Sequence, residues 1–203
     1  MQQYNQNLKA NEYQFTKLKV SIESDNLINL KNIDAIVSSS DVYLTNDGGI
    51  SKAILKACGL ELNRLCQEYL IQKNVQRLEI GDCAVTNSCQ LQKNNIKYIF
   101  HAAGPIYDIN NVKSCKKQLG MTINNILTRT QELNLKSIGI PAISTGYQEF
   151  PIQLCAEVFQ EVLQKNNLQN DLHVRLIMID SLIFKIFCDV FSKPVLCRQE
   201  SEF

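Results

Sequence analysis

The sequence predicts an α/β protein, a three-layer α/β/α sandwich with a mixed, mostly parallel central sheet. Short apolar runs typical of strands alternate with longer segments whose apolar residues recur at helical spacing, which is the pattern of βαβ units. The 203 residues, 45% of them hydrophobic, suffice for one domain with a sizeable core. We expect a polar arm at residues 1–12, the domain at 13–191 and a polar tail at 192–203.

The elements follow in chain order. Residues 14–22 alternate apolar and polar side chains, which predicts a half-exposed strand. Residues 33–38 are nearly all apolar, which predicts a buried strand. Residues 50–70 show helical spacing, with Gly59 as a break. The remaining patterns predict strands at 83–88, 97–102, 137–140 and 174–179, and helices at 112–133, 152–165 and 181–191.

Two loops of small residues lie between a strand and a helix. One is residues 141–146, Pro-Ala-Ile-Ser-Thr-Gly, and the other surrounds Gly48 and Gly49. Small residues let backbone N–H groups converge on an anion, so the two loops predict a diphosphate pocket. In open α/β sheets such a pocket lies at the carboxyl ends of the strands. The loops that we expect there follow residues 22, 38, 102, 140 and 179.

Composition excludes several classes of function. The net charge of +1 gives no general attraction to nucleic acid or to an anionic membrane. No run approaches the roughly 18 apolar residues of a membrane span. The eight cysteines form no C-x-x-C pair and His101 lies far from any cysteine pair in sequence, so we expect no metal site. Reduced thiols and an intracellular protein, cytoplasmic or nuclear, are the simplest interpretation.

Four motifs in order resemble the macrodomain family, whose members bind ADP-ribose. They are residues 34–37 (Asp-Ala-Ile-Val), 47–50 (Asp-Gly-Gly-Ile), 99–105 (Ile-Phe-His-Ala-Ala-Gly-Pro), and 141–146 with the Phe-Pro pair at 150–151. The resemblance runs from about Val20 to Phe191. It implies ADP-ribose as the ligand and requires no cofactor. His101 is interpreted as a core histidine.

The resemblance implies a set of ligand-binding residues. Asp25, followed by Asn26, matches the acidic residue that binds the adenine amine, although an Asp in a turn also caps its own backbone. Ile179 occupies the place where the family usually has an aromatic ring on the adenine. The implied contacts with the distal ribose and the phosphates are Asp41, Gly48, Gly49, Ile50, Ser144, Thr145, Gly146 and Tyr147. Both glycine loops are also compatible with turn geometry that is inherited without a ligand.

The departures from the family pattern fall on the site. Asp41 replaces an Asn that orients the distal ribose, Asp47 replaces the first glycine of a triple glycine, and Glu149 replaces a later glycine. We expect these carboxylates around the pyrophosphate pocket. At about 6 Å and an effective dielectric constant near 20, each carboxylate–phosphate pair costs on the order of 3 kcal/mol.

Catalytic residues are not identified. Hydrolytic macrodomains commonly carry Asp and His in the helix after the glycine loop, where this chain has Ser51 and Leu55. Neither side chain can deprotonate a water at neutral pH.

Three hypotheses follow. The first is a binding module that recognises ADP-ribose, a related nucleotide or an ADP-ribosylated protein without turnover. The second is a degenerate macrodomain that docks to a protein partner with its pocket empty. The third is a hydrolase in which Ser51, Asp41 and Asp47 position a water.

Overall fold

The computed structural model describes residues 11–193. In this part of the chain the strands are β1 (Glu12–Phe15), β2 (Leu18–Ser24), β3 (Ala35–Ser40), β4 (Cys83–Asn87), β5 (Tyr98–Ala103), β6 (Ser137–Ile140) and β7 (Leu172–Met178). The α-helices are α1 (Gly49–Cys58), α2 (Glu61–Gln72), α3 (Val112–Glu132), α4 (Ile152–Lys165) and α5 (Ser181–Phe191). Gly59 separates α1 from α2, as predicted.

The strands form one mixed sheet in the order β1-β2-β7-β6-β3-β5-β4. The five strands from β2 to β5 in that order are parallel, whereas β1 and β4 pair antiparallel at the two edges. The carboxyl ends of the parallel strands therefore share one edge of the sheet, from which their loops leave. The predicted mixed, mostly parallel sheet is confirmed.

Each face of the sheet buries its own apolar cluster. Along β3, Val37 belongs to the cluster under α3, α4 and α5, whereas its neighbour Ile36 belongs to the cluster under α1 and α2. Successive side chains of a strand point to opposite faces, so an all-apolar strand fills both clusters. The α/β/α sandwich predicted from the sequence is confirmed.

The prediction of one strand over residues 14–22 is wrong. These residues form an antiparallel hairpin in which Phe15 pairs with Leu18 across a turn at Thr16 and Lys17. The alternation of apolar residues changes phase at this point, because Phe15 and Leu18 are three positions apart. That break in the period is the signal of the turn.

The predicted boundaries of the arm, the domain and the tail are not tested by the described residues. The first strand begins at Glu12, one residue before the predicted start of the domain, and α5 ends at Phe191. Most of the predicted arm and tail lie outside the described residues and stay predictions. No helix between residues 11 and 193 is long and apolar enough to cross a membrane.

Asp34 connects the amino ends of three central strands. Its Oδ2 accepts hydrogen bonds from the N–H groups of Lys136 (2.8 Å) and Ser137 (3.1 Å), and its Oδ1 lies 2.8 Å from Nζ of Lys97. Burial opposes ionisation of Asp34, but the Lys97 ammonium and the two N–H donors outweigh it and lower the pKa of this carboxyl. Asp34 thereby aligns β3, β5 and β6 at the edge opposite to their loops.

We expect Asp34→Asn to lower the free energy of unfolding by about 1–2 kcal/mol at pH 7, because the substitution removes charge-assisted hydrogen bonds. Since the folded pKa is lowered, the contribution is present above the ordinary carboxyl pKa of about 3.9 and is lost as the pH falls through the folded pKa. Urea denaturation at pH 7 and at acid pH measures both effects. Asp171→Asn, at an exposed aspartate whose side chain bonds to no described residue, is the matched control. Equal stability of the two variants would contradict the assignment.

Candidate functional site

A cavity of about 610 Å³ opens at the carboxyl edge of the sheet. The residues that line it follow β2, β3, β6 and β7, so four of the five predicted loops contribute and the loop after β5 does not. In the sheet, β7 and β6 lie between β2 and β3. The ends of β2 and β3 are therefore three strand spacings apart, which is about 14 Å along the cavity. Both the volume and the length suit an extended small molecule.

The loop between β6 and α4 presents free N–H groups to this cavity. The N–H groups of Gly146, Tyr147 and Gln148 donate to no acceptor within the described residues, and all three residues line the cavity. A Cβ built at Gly146 would meet no atom within 4 Å, so the space beside the loop is open. Adjacent free N–H groups in a turn are an anion-binding arrangement.

Hydrogen bonds with neighbouring loops hold this loop in place. The N–H of Ser144 donates to Oγ of Ser39 (3.2 Å), and that hydroxyl donates to Oε1 of Gln148 (3.4 Å). Nε2 of Gln148 donates to the carbonyl of Gly104 (2.8 Å), while the Gln148 carbonyl accepts from the N–H of Tyr107 (2.9 Å). Gln148 therefore links the carboxyl end of β3 to the loops after β5 and β6.

The loop between β3 and α1 is held by its own side chains. The Asp41 carboxylate accepts from the N–H of Tyr43 (2.7 Å) and from the N–H (3.0 Å) and hydroxyl (2.7 Å) of Thr45. The buried Asn46 amide donates to the carbonyl of Leu44 (3.1 Å) and to Oδ1 of Asn63 on α2 (3.2 Å). Asp41 thus shapes the loop besides lining the cavity.

Helix α1 starts at the cavity without a side-chain cap. Gly48 is its N-cap, and the N–H groups of Gly49, Ile50 and Ser51 have no acceptor within the described residues. Gly49 has a φ of 50°, in the left-handed region that glycine adopts without strain. The free N–H groups and the helix dipole make this end a second place for negative charge.

Acceptors lie at the opposite end of the cavity, after β2 and β7. Oδ1 of Asp25 accepts from the N–H of Asn26 (2.6 Å), and the Asn26 side chain caps a short 3₁₀ turn by accepting from the N–H of Ile28 (3.2 Å). The second carboxylate oxygen of Asp25 has no partner among the described residues. Ile179 is 76% exposed, and Asp180 caps α5 through the N–H groups of Leu182 and Ile183.

The cavity is acidic in its side chains. Four aspartates line it, and none of the described residues in its lining is Lys, Arg or His. The backbone N–H groups are therefore its main source of positive potential. Of the three carboxylates that we expected around the pocket, Asp41 and Asp47 line the cavity. The expected position of Glu149 is wrong, because Glu149 is exposed and does not line the cavity.

The structure brings ten of the eleven predicted site residues to the cavity. These are Asp25, Asn26, Asp41, Gly48, Gly49, Ile50, Thr145, Gly146, Tyr147 and Ile179. Ser144 is the exception, because it is 1% exposed and its hydroxyl faces Gly104, where a Cβ would lie 2.2 Å from the Ser144 Oγ. The sequence analysis missed Ser39, Gln148 and Asn46, whose roles depend on contacts between distant loops.

His101 is buried inside the domain, as the sequence interpretation expected. Its Nε2 lies 3.0 Å from Oγ1 of Thr86, and Sγ of Cys66 lies 3.7 Å away. Burial lowers the pKa of His101 to about 4 and raises that of Cys66 to about 11. Both groups are therefore neutral at pH 7, and neither lines the cavity.

The positions expected for a catalytic pair carry no base. The hydroxyl of Ser51 donates to the carbonyl of Gly48 (2.7 Å), and Leu55 packs against the apolar cluster under α1. Within residues 11–193, no group of three or more His, Cys, Asp or Glu side chains is placed to hold a metal ion.

Two loops of free N–H groups at the carboxyl edge of the sheet of an α/β/α sandwich are an arrangement suited to a phosphorylated ligand. A family model described as Macro domain matches residues 37–159. An uncharacterised protein of Sulfurisphaera tokodaii is 32% identical over 165 residues, which are 80% of this chain and 85% of the relative. The chain belongs to the macrodomain family.

Solved structures agree with this assignment at the level of the fold. The Oceanobacillus iheyensis macrodomain with ADP superposes with a TM-score of 0.80 at 24% identity, over 89% of this chain and 94% of that one. The Trypanosoma brucei macrodomain in complex with ADP-ribose gives a TM-score of 0.70 at 20% identity, over 84% of this chain and 68% of that one.

The placement of Ser144 can be tested by Ser144→Ala. Its Oγ is buried and has no hydrogen-bond partner among residues 11–193. Removing an unpaired buried hydroxyl should leave the free energy of unfolding unchanged or raise it by up to about 1 kcal/mol. Affinity for ADP-ribose, measured by calorimetry, should stay within about twofold. A loss of about tenfold or more would show that the Ser144 hydroxyl contributes to ligand binding.

Glu149 adopts a φ of 55°, a conformation that glycine tolerates and most other residues do not. We expect Glu149→Gly to raise the free energy of unfolding by about 0.5–1 kcal/mol, because relief of this strain exceeds the added entropy of the unfolded chain. Urea denaturation measures the change. Glu149→Ala, which keeps the strain and removes the carboxylate, is the control, and equal stability of both variants would contradict the explanation.

Proposed function

We propose that this protein binds ADP-ribose, free or attached to another protein, without hydrolysing it. One observation carries the proposal: two separate sets of free N–H groups, on Gly49 to Ser51 and on Gly146 to Gln148, line the same cavity. A pyrophosphate has two phosphate groups that need such donors. The proposal uses the backbone, and so it does not require basic side chains.

The rest of the cavity supports a ligand larger than a diphosphate. Its length of about 14 Å leaves room at both ends of a central pyrophosphate. The free oxygen of Asp25 is a suitable acceptor for the adenine amine, and Ile179 offers an aliphatic surface to the base. The adenine would then lie at the end after β2 and β7, and the distal ribose at the end after β3.

The absence of turnover is part of the proposal. The Ser51 hydroxyl is engaged by the Gly48 carbonyl, and Leu55 offers only hydrocarbon. A general base must lie within hydrogen-bond reach of the attacking water. Of the two carboxylates at the β3 end, Asp41 already accepts hydrogen bonds from three donors of its own loop, so Asp47 is the one that a test of turnover has to include.

A second function is favoured by the acidity of the lining. Four aspartates and no basic side chain surround a site for a dianion. If their repulsion exceeds the binding energy of the N–H groups, the domain acts as an unliganded subunit that docks to a protein partner. An intracellular location, cytoplasmic or nuclear, is proposed in either case, since five of the seven described cysteines are buried free thiols.

Gly146→Glu tests the proposed binding site. The open space at Gly146 accommodates a side chain without disturbing the fold, but a carboxylate there competes with the ligand phosphate for the free N–H groups. We expect the dissociation constant for ADP-ribose to rise about 100-fold or more in calorimetry. Gly146→Gln introduces an uncharged side chain of nearly the same size and should lose less affinity for ADP-ribose than Gly146→Glu. Unchanged affinity in a folded Gly146→Glu variant would show that the ligand binds elsewhere.

The absence of turnover can be tested directly. Purified protein incubated with an ADP-ribosylated protein should release no ADP-ribose above the spontaneous rate, as measured by chromatography. Release above that rate would contradict the proposal, and its loss in Ser51→Ala, Asp41→Ala or Asp47→Ala would identify a hydrolase. An unrelated folded protein at equal concentration gives the background.

A further inference from the structure

Asp47 differs from the other three aspartates of the cavity. The carboxylates of Asp25, Asp41 and Asp180 each accept at least one hydrogen bond from a backbone N–H group. The Asp47 carboxylate accepts none from any described residue, and its side chain is exposed and lines the cavity. Asp47 is therefore the lining carboxylate that accepts no hydrogen bond within residues 11–193 and is left available to a ligand.

The backbone keeps Asp47 at the cavity. On one side, Asn46 is buried and bonded to Leu44 and Asn63, and on the other side Gly48 is the N-cap of α1. Asp47 therefore lies in the loop between β3 and α1, between two residues whose positions are fixed. Asp47 consequently lies at the end of the cavity opposite to Asp25, which is the end that the proposed orientation gives to the distal ribose.

We infer that Asp47 makes the cavity select the charge of the group attached to the distal ribose, favouring a cation over an anion. This inference rests on the proposed function. A negative group on the distal anomeric carbon would be repelled by the Asp47 carboxylate, and the described residues of the lining include no basic side chain that would attract it. A positive group would be attracted to the same carboxylate, and ADP-ribose itself, which is uncharged at that carbon, would fall between them.

Two kinds of compound carry a cation at this position. One is a dinucleotide in which a pyridinium ring is attached to the distal ribose, as in NAD⁺. The other is an ADP-ribosyl group on the guanidinium of an arginine side chain. Both share a positive charge next to the distal anomeric carbon, and they differ in whether the ligand is a small molecule or part of a polypeptide.

Calorimetry with four ligands tests the inference. The ligands are ADP-ribose, ADP-ribose with a phosphate on the distal anomeric carbon, NAD⁺, and a peptide ADP-ribosylated on arginine. Since the ligands also differ in size, the quantity compared is a ratio, the dissociation constant of the anionic ligand divided by that of a cationic one. Each ratio is determined for the wild type and for Asp47→Asn. Asp47 is exposed, and a thermal melt verifies that the variant folds.

The expected result is a ratio that falls about threefold or more in Asp47→Asn, in keeping with the modest strength of exposed charge pairs. Asp171→Asn removes a carboxylate just before the amino end of β7, at the edge of the sheet opposite to the cavity, and should leave the ratio unchanged. A fall with NAD⁺ alone or with the peptide alone supports the inference and identifies the source of the cation.

Two results would overturn the inference. Unchanged ratios for both cationic ligands, with ADP-ribose still bound, would overturn it and leave the proposed function intact. Failure of the folded wild type to bind any of the four ligands would overturn the proposed function and, with it, the inference.

Discussion

The hydrogen bonds that Gln148 makes with its neighbours are the constraint on which the proposed site depends. Its side chain joins Ser39, near the end of β3, to the carbonyl of Gly104 after β5, and its own loop follows β6. These contacts hold the loop through side chains and carbonyl groups, so the N–H groups of Gly146, Tyr147 and Gln148 are not consumed by internal hydrogen bonds. Asp34 at the opposite edge aligns the strands from which the same loops leave.

The electrostatic character of the site follows from this use of the backbone. Three of the four aspartates in the lining bind N–H groups of their own loops or helices, which turns charged side chains into structural caps. Among the described residues of the lining, only backbone N–H groups attract a bound pyrophosphate, whereas the nearby aspartates repel it. The balance between these two terms decides whether the domain is a reader of ADP-ribose or an empty scaffold.

Sequence patterns predicted most of the fold, because burial on both faces of a parallel sheet leaves apolar runs and amphipathic helices that are readable locally. The hairpin at Phe15 and Leu18 was missed because a phase change in a short alternating pattern is easily taken for continuity. Motif resemblance placed ten of the site residues at the cavity. Ser144 lies outside the cavity lining, since a motif fixes the order of residues but not the direction of a side chain. The motif also gave no sign of Gln148.

The most direct test of the central claim is a backbone NMR titration of ¹⁵N-labelled protein with ADP-ribose. If the free N–H groups hold the pyrophosphate, the largest shifts will fall on the amides of Gly49 and Ile50 and on those of Gly146, Tyr147 and Gln148. Titration with AMP, which lacks the second phosphate, should not move both sets together. Shifts confined to other parts of the domain, or none at saturating ligand, would contradict the account.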